Sequence, residues 1–347
     1  MKEALLKLIT EGDPVKLHGY TSAAGDMETR KVIADSLNRR YYAGVKPEWI
    51  YMACGAAGAL SSCLKAVITC TEDEIIAFTP FFPEYRVFTN ANGGKLVEVK
   101  SREEDFQIDF DELEKAMNVH TQALIVNSPN NPSGVVYTEE TIKTLAAFLE
   151  KKQEEYGHDI YLISDEPYRE LVYDGLKVPY ITCYYDNSMV CYSYSKALSL
   201  PGERIGFALV NPRMKDGARV YAAICGAGRA LGYVCAPSLF QFLIKECVEE
   251  VADISVYKKN RDLLYENLTK YGFTCIRPDG AFYLFMKALE PDTMAFCERA
   301  KEQELLVVPC DGFGCPGYVR ISYCVQTETI ERSLPAFKRL AESYGVK

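Results

Sequence analysis

Histidine is scarce in this 347-residue chain, with three in all, and tryptophan occurs once. No two of its cysteines form a C-x-x-C pair, so the sequence offers no zinc-type ligand set. A basic tract is missing too: 39 Lys and Arg stand against 48 Asp and Glu, a net charge of -9. Nucleic acid is therefore a poor partner, because binding its backbone needs clustered positive charge. No apolar run reaches the roughly 20 residues of a membrane span. The start, MKEALLKLITEGDPVKLHGY, has neither an extended apolar core nor a cleavage-like site, and no signal peptide is expected. G-x-G-x-x-G and a P-loop lysine are both absent, which argues against a nicotinamide dehydrogenase and a P-loop nucleotide site.

Thirteen cysteines are present, scattered singly through apolar runs (Cys54, Cys63, Cys70, Cys183, Cys191, Cys225, Cys235). Used this way they are small hydrophobes, and a reducing cytoplasm follows. The apolar and charged fractions, 48% and 25%, are ordinary for a soluble globular protein, and the length predicts two domains.

Short apolar runs alternate with helical patterns along the first two thirds of the chain. Strands are expected at 49–53, 74–78, 95–100, 123–126, 160–164, 189–194 and 205–210, with helices between them, such as 110–117 capped by Asp109 and 139–156. This predicts a mostly parallel sheet, whose ligands bind outside the carboxyl ends of the strands. From Ser238 a long helical stretch, bent or broken, leads to a smaller α+β domain with strands near 273–276, 282–286, 306–309 and 318–323 and helices at 292–303 and 327–343.

Chemistry-bearing residues collect at those strand ends. Lys196 ends a buried strand in Ser193-x-Ser195-Lys196 and is followed by Arg204. A desolvated lysine near positive charge is held partly neutral and attacks carbonyls, whereas a solvated strand-end lysine does neither. Cys54-Gly55-Ala56-Ala57-Gly58 joins a strand to a helix with small residues, which lets N–H groups approach an anion or simply allows tight packing. Phe82 lies between two prolines, as a ring for a flat ligand or as a plug. Asn131 sits in a rigid polar loop. Asp165 suits pairing with a protonated ring nitrogen and Tyr168 offers its hydroxyl, unless both are solvated turn residues. Arg320 alternates with Val319 and Ile321, so it leaves its strand on the opposite face, free to grip a carboxylate or to make a surface ion pair.

SPNNPSG (128–134), SDEPY (164–168), SYSKALSLPGERIG (193–206) and VRISY (319–323) together resemble the pyridoxal-phosphate-dependent aminotransferases of fold type I, class I/II. The resemblance spans nearly the whole chain. It implies an α/β fold with an aspartate-aminotransferase-like three-layer domain, a mostly parallel seven-stranded sheet and a smaller α+β domain. The implied division is 1–25 (N-terminal arm and small-domain segment, apparently shortened), 26–245 (large cofactor-binding domain) and 246–347 (small domain with the interdomain helix). Pyridoxal 5'-phosphate is the implied cofactor. Lys196 is then the Schiff-base lysine and proton shuttle, and Asp165 the partner of the pyridine nitrogen. Asn131 and Tyr168 donate to the phenolic oxygen, and Phe82 stacks. Gly55, Ala56, Ala57, Ser193 and Arg204 form the phosphate cup, and Arg320 holds the substrate α-carboxylate, beside Asn131. Tyr20 reaches the neighbouring subunit's cofactor, which implies a homodimer with shared sites.

Two departures stand out: only 19 residues precede Tyr20, and the segment 224–237 reads like an insertion in which Arg229 serves a substrate, an interface or the surface. Transamination between an L-amino acid and a 2-oxo acid is the expected reaction. Phe81, Tyr85 and Tyr233 point to an aromatic or apolar donor. A C–S β-lyase or a decarboxylase on the same frame is the alternative. A regulatory ligand-binding role would want a DNA-binding segment, which neither the short N-terminus nor the acidic charge supplies.

Overall fold

The computed structural model describes residues 1–346. Two short helices, α1 (Lys2–Glu11) and α2 (Pro14–His18), precede α3 (Met27–Tyr41), whose first turn is capped by the Asp26 carboxylate accepting from the Thr29 N–H at 2.8 Å. Then strands and helices alternate: β1 (Ile50–Ala53), α4 (Gly55–Val67), β2 (Glu74–Thr79), α5 (Glu84–Ala91), β3 (Lys95–Lys100), α6 (Phe110–Ala116), β4 (Thr121–Asn127), α7 (Glu139–Tyr156), β5 (Tyr161–Asp165), β6 (Ser188–Ser193), α8 (Tyr194–Ala197) and β7 (Gly206–Val210). As expected from the sequence, Asp109 caps α6.

These seven strands form one sheet in the order β1-β7-β6-β5-β4-β2-β3. Only β7 runs against its neighbours, so β6 and β7 make an antiparallel pair in which Ser193 lies opposite Gly206. The chain between them carries both Lys196 and Arg204.

Strand parity explains the three layers. Along β4, Ala123 and Ile125 face the cluster built with α4 residues Ala59, Leu60, Cys63 and Leu64, while Leu124 and Val126 face the cluster of Leu113 on α6 and Ile142, Leu145 and Leu149 on α7. Buried on both faces, the central strands read as continuous apolar runs rather than alternating ones.

Beyond β7 come α9 (Gly217–Ala230), α10 (Ser238–Cys247), α11 (Ser255–Lys270), β8 (Cys275–Ile276), β9 (Tyr283–Lys287), α12 (Thr293–Glu302), β10 (Val308–Pro309), β11 (Tyr318–Ser322) and α13 (Thr327–Ser343). A second sheet has the order β10-β11-β9-β8. Its apolar face, with Leu284, Met286, Val319 and Ile321, packs on Leu264, Leu268, Phe337 and Leu340. The helical stretch after Ser238 is broken: α10 joins the large-sheet cluster with Leu243 and Ile244, and α11 joins the small-sheet cluster.

Two expectations need correction. Ala4, Leu5 and Leu8 pack against that same large-sheet cluster, so α1 lies on α10 and not in the smaller layer. The segment 224–237 is no insertion: its first half completes α9, where a Cβ on Gly228 would meet the Tyr51 hydroxyl at 2.1 Å, so only glycine lets α9 settle on β1. Arg229 is exposed at the end of that helix.

Gly206 is the tightest point of the β1-β7-β6 junction, since a Cβ there would stand 2.2 Å from the Tyr192 carbonyl oxygen and 3.0 Å from Gly55 Cα. Backbone cannot give way as a flexible side chain can. Gly206→Ala should therefore cost about 2 kcal/mol or more in urea unfolding, the upper part of the range for overpacking. A loss under about 0.5 kcal/mol would show that the junction can relax.

Candidate active site

A cleft of about 350 Å³ opens at the carboxyl ends of the central strands. Ala56, Ala57, Phe82, Asn131, Asp165, Tyr168, Ser193, Lys196, Arg204 and Arg320 all line it. Gly55 stands at its edge, where a Cβ would come within 2.7 Å of the Arg204 guanidinium. Tyr20 is elsewhere, with 94% of its surface exposed.

Asp165 closes β5 and forms the floor. One of its oxygens, Oδ2, accepts from the Tyr85 hydroxyl at 2.5 Å. The other, Oδ1, is buried with no hydrogen-bond partner among the described residues. Burial pushes this carboxyl up to about 7; the Tyr85 bond opposes that rise and the Glu166 charge adds to it. A buried bare acceptor costs on the order of 1–3 kcal/mol, and a cationic donor placed on it removes that cost.

Lys196 is half-buried on α8, whose N-terminus is capped by Ser193 Oγ accepting from the Ser195 N–H at 3.1 Å. Burial holds its ammonium below the ordinary lysine range; Cys324 opposes this, and the Arg204 and Arg320 charges reinforce it. Its Nζ lies 5.1 Å from the centre of the Phe282 ring. Arg204, with φ at 51°, bends back so that Nη1 donates to Ser195 Oγ at 3.3 Å and to the Pro201 carbonyl at 2.9 Å. Beside it the first turn of α4 offers free N–H groups, with no side chain capping that end.

On the facing wall Arg320 leaves β11 opposite to the buried Val319 and Ile321, as its alternation predicts. Its guanidinium donates to Asn131 Oδ1 at 2.8 Å and lies over the Tyr283 and Phe313 rings, 4.5 and 5.0 Å from their centres. Asn131 is held by its own N–H donating to Asn127 Oδ1 at 2.7 Å, while Asn127 Nδ2 donates to the Asp165 carbonyl at 2.8 Å. The backbone of Asn131 is thus held by Asn127 and its side-chain amide by Arg320, through Oδ1.

Sequence reading missed two contributors, Asn127 and Tyr283, and took Tyr85 for a pocket liner. Asn127, Ser195 and Tyr283 line the cleft, and Tyr85 lies behind it. Asn127 ends a buried strand just as Asp165 does, and that position alone was a usable signal. Tyr283 shares a face with Arg320 through the β9–β11 pairing, a register the sequence does not reveal. Tyr168 makes its hydroxyl bond to Tyr283, at 3.1 Å. Phe81 and Tyr85 belong to the core, each 1% exposed, and Tyr233 packs beside Gly58, so none of the three lines the cleft. The aromatic surface there is Phe82, Tyr168 and Tyr283 instead.

A family model described as aminotransferase class I and II matches residues 1–337. The chain is 31% identical over 347 residues to an aspartate/prephenate aminotransferase of Thermus thermophilus, covering 98% of this chain and 86% of that one. It is 30% identical to aromatic-amino-acid aminotransferase 2 of Thermococcus litoralis, with 98% and 86% covered. Among solved structures, an amino transferase from Eubacterium rectale superposes with a TM-score of 0.97 at 58% identity, over 99% of this chain and 86% of that one. The Thermus thermophilus aspartate aminotransferase with maleate gives 0.86 at 30% identity, over 98% and 87%.

The state of Asp165 gives a pH test on the ligand-free protein. A carboxyl raised from 3.8 to about 7 on folding stabilises the fold below pH 4, and that contribution is lost as pH rises through 7. Asp165→Asn removes the titration. Relative to wild type it should gain on the order of 2–3 kcal/mol in denaturant unfolding between pH 5 and pH 8. A difference that stays flat over that range would mean Asp165 is not desolvated.

Proposed function

The chain belongs to the class I and II aminotransferases and is a transferase of amino groups; from that premise we propose that it binds pyridoxal 5'-phosphate in the cleft and serves an aromatic or apolar L-amino acid and a 2-oxo acid. The observation that carries the cofactor assignment is the bare, buried Oδ1 of Asp165, an acceptor shaped for the proton of a pyridine nitrogen.

When bound, pyridoxal phosphate supplies an aldehyde that exchanges amines and a ring that accepts the electron pair released at the substrate Cα. Lys196 Nζ would hold the aldehyde carbon and would serve as the base for the substrate's Cα proton; its depressed basicity suits both tasks. Asp165 keeps the ring nitrogen protonated. Asn131 Nδ2 and the Tyr168 hydroxyl serve the phenolic oxygen, Tyr168 being free to donate when Tyr283 donates to it. Phe82 covers one ring face. The N–H groups of Gly55, Ala56 and Ala57 hold the phosphate together with Ser193, Ser195 and Arg204. Arg320 holds the α-carboxylate.

In this reading residues 26–245 form the cofactor lobe and 246–347 the lobe that brings Arg320 to it. A homodimer lets the exposed Tyr20 reach the neighbouring phosphate. A reducing cytoplasm suits thirteen cysteines that are all unpaired.

The donor class rests on the charge of the walls. Lys196, Arg204 and Arg320 are the cationic residues lining the cleft, and each already has a task. None is left among the residues lining the cleft for a second carboxylate. The aspartate specificity in the names of several relatives favours the opposite reading. Steady-state assays with phenylalanine, tyrosine, leucine and aspartate decide between them: kcat/KM should favour an uncharged donor by at least about tenfold. A preference for aspartate would overturn the donor assignment.

The residue roles predict distinct losses in the same assay. Lys196→Ala should lower kcat by about 10³-fold or more. Arg320→Ala should mainly raise KM for donor and acceptor, by about 10- to 100-fold. Amino acid and 2-oxo acid should appear one for one; pyruvate and ammonia without an acceptor would instead indicate β-elimination.

A further inference from the structure

We propose that Tyr85 is a positioning residue: by binding Asp165 Oδ2 from behind and packing against Phe82, it fixes which carboxylate oxygen faces the ligand and holds the ring's two protein contacts in one unit. The inference rests on the cofactor reading above for its purpose, and on Tyr85, Asp165 and Phe82 for its geometry.

Tyr85 lies in the first turn of α5, directly after the Phe81-Phe82-Pro83 bend that follows β2. It is 1% exposed and lies in the apolar cluster under the sheet, so its hydroxyl has no access to solvent. The hydroxyl donates to Asp165 Oδ2 at 2.5 Å, across 80 residues of sequence. Its ring meets Phe82 edge to face, with centres 5.8 Å apart and planes at 82°, and stacks with Phe81 at 6.4 Å. One rigid side chain therefore touches both the residue assigned to the ring nitrogen and the one assigned to the ring face.

The consequence is chemical as well as steric. A carboxylate with two free oxygens can rotate or take its proton on either. With Oδ2 occupied by a donor, Oδ1 remains as the acceptor for a ligand proton. The same bond favours the ionised carboxyl, against burial and the Glu166 charge, which favour the neutral form. The other titratable groups near the carboxyl are Tyr168 from the turn after β5 and Cys191 from β6, both neutral, with thiol and phenol pushed up by burial. Lys196, Arg204 and Arg320 supply the positive charge of the same cleft. Tyr85 is itself held well above the ordinary phenol range, by burial first and by Asp165 second, so it stays a donor throughout.

The test begins with ligand-free protein and follows the protonated-carboxyl infrared band that Asp165→Asn removes. Tyr85→Phe deletes a single oxygen and keeps the ring. Losing a hydrogen bond to a charged acceptor should raise the midpoint of that band by about one pH unit or more. Replacing Tyr85 by 3-fluorotyrosine, a stronger donor of nearly the same shape, should lower it, so the assignment remains decidable if Tyr85→Phe folds poorly. An unchanged midpoint in both would overturn the role.

Binding of pyridoxal phosphate by equilibrium dialysis then tests the purpose. Tyr85→Phe should weaken it by about tenfold, and adding the change to Asp165→Asn should weaken it no further. An equal loss in the Asp165→Asn background would mean that the Tyr85 hydroxyl acts independently of Asp165 and would also overturn the role. Wild type that binds no pyridoxal phosphate would instead defeat the cofactor reading, while the infrared midpoints still decide Tyr85.

Discussion

A carboxyl group cut off from water, with one oxygen satisfied and the other bare, sets the terms for the rest of this molecule. Asp165 is placed there by β5, a strand buried on both faces, and so cannot turn toward solvent to find a partner. Folding bears that desolvation because the surrounding sheet is large: the clusters on its two faces bury dozens of apolar side chains, each worth about 1.5–3 kcal/mol, against a few kcal/mol for the carboxyl. A ligand that donated to Oδ1 would remove that cost. Strand ends, small-residue helix start and facing arginine surround this carboxyl, and Arg320 Nε is, like Asp165 Oδ1, buried with no hydrogen-bond partner among the described residues.

A second buried charge, one residue on, shows the contrasting solution. Glu166 is ion-paired with Arg169, accepts from Ser164 Oγ at 2.7 Å, and has no free oxygen toward the cleft. Arg169 in turn donates to the Val178 and Pro179 carbonyls and lies between the Tyr41 and Tyr180 rings. Such a pair adds little net stability, yet deleting one member costs about 3–5 kcal/mol because the other is left charged and alone. Adjacent carboxylates on one strand end thus divide the work: Glu166 is closed off and structural, Asp165 is left open.

Much of this was legible in the sequence because the relevant physics is local. The seven strands of the large sheet, the Asp109 cap and the alternation that turns Arg320 away from Val319 and Ile321 all follow from neighbours a few residues apart. Lys196, Asp165, Asn131 and Phe82 were found because strand ends carry ligands in such sheets. What stayed hidden depends on registry between distant segments. Tyr283, paired with Ser322, comes diagonally beside Arg320 only through the β9–β11 pairing. Tyr85 reads as an apolar liner until the packing turns its hydroxyl onto Asp165. Gly228 looked like part of an inserted turn because the sequence does not show that β1 lies beneath it.

The antiparallel pairing of β6 with β7 has a consequence for how the site comes into being. Lys196 and Arg204 sit in a hairpin closed by neighbouring strands, and the contact between Ser195 and Arg204 spans nine residues. Arg320 meets Asn131 across 189 residues. Loop closure costs more as the loop lengthens, and distant contacts form only after much of the chain has ordered. The lysine and Arg204 are therefore joined by local contacts that close a short loop, whereas the contact of Arg320 with Asn131 closes a long one and carries the greater entropic cost.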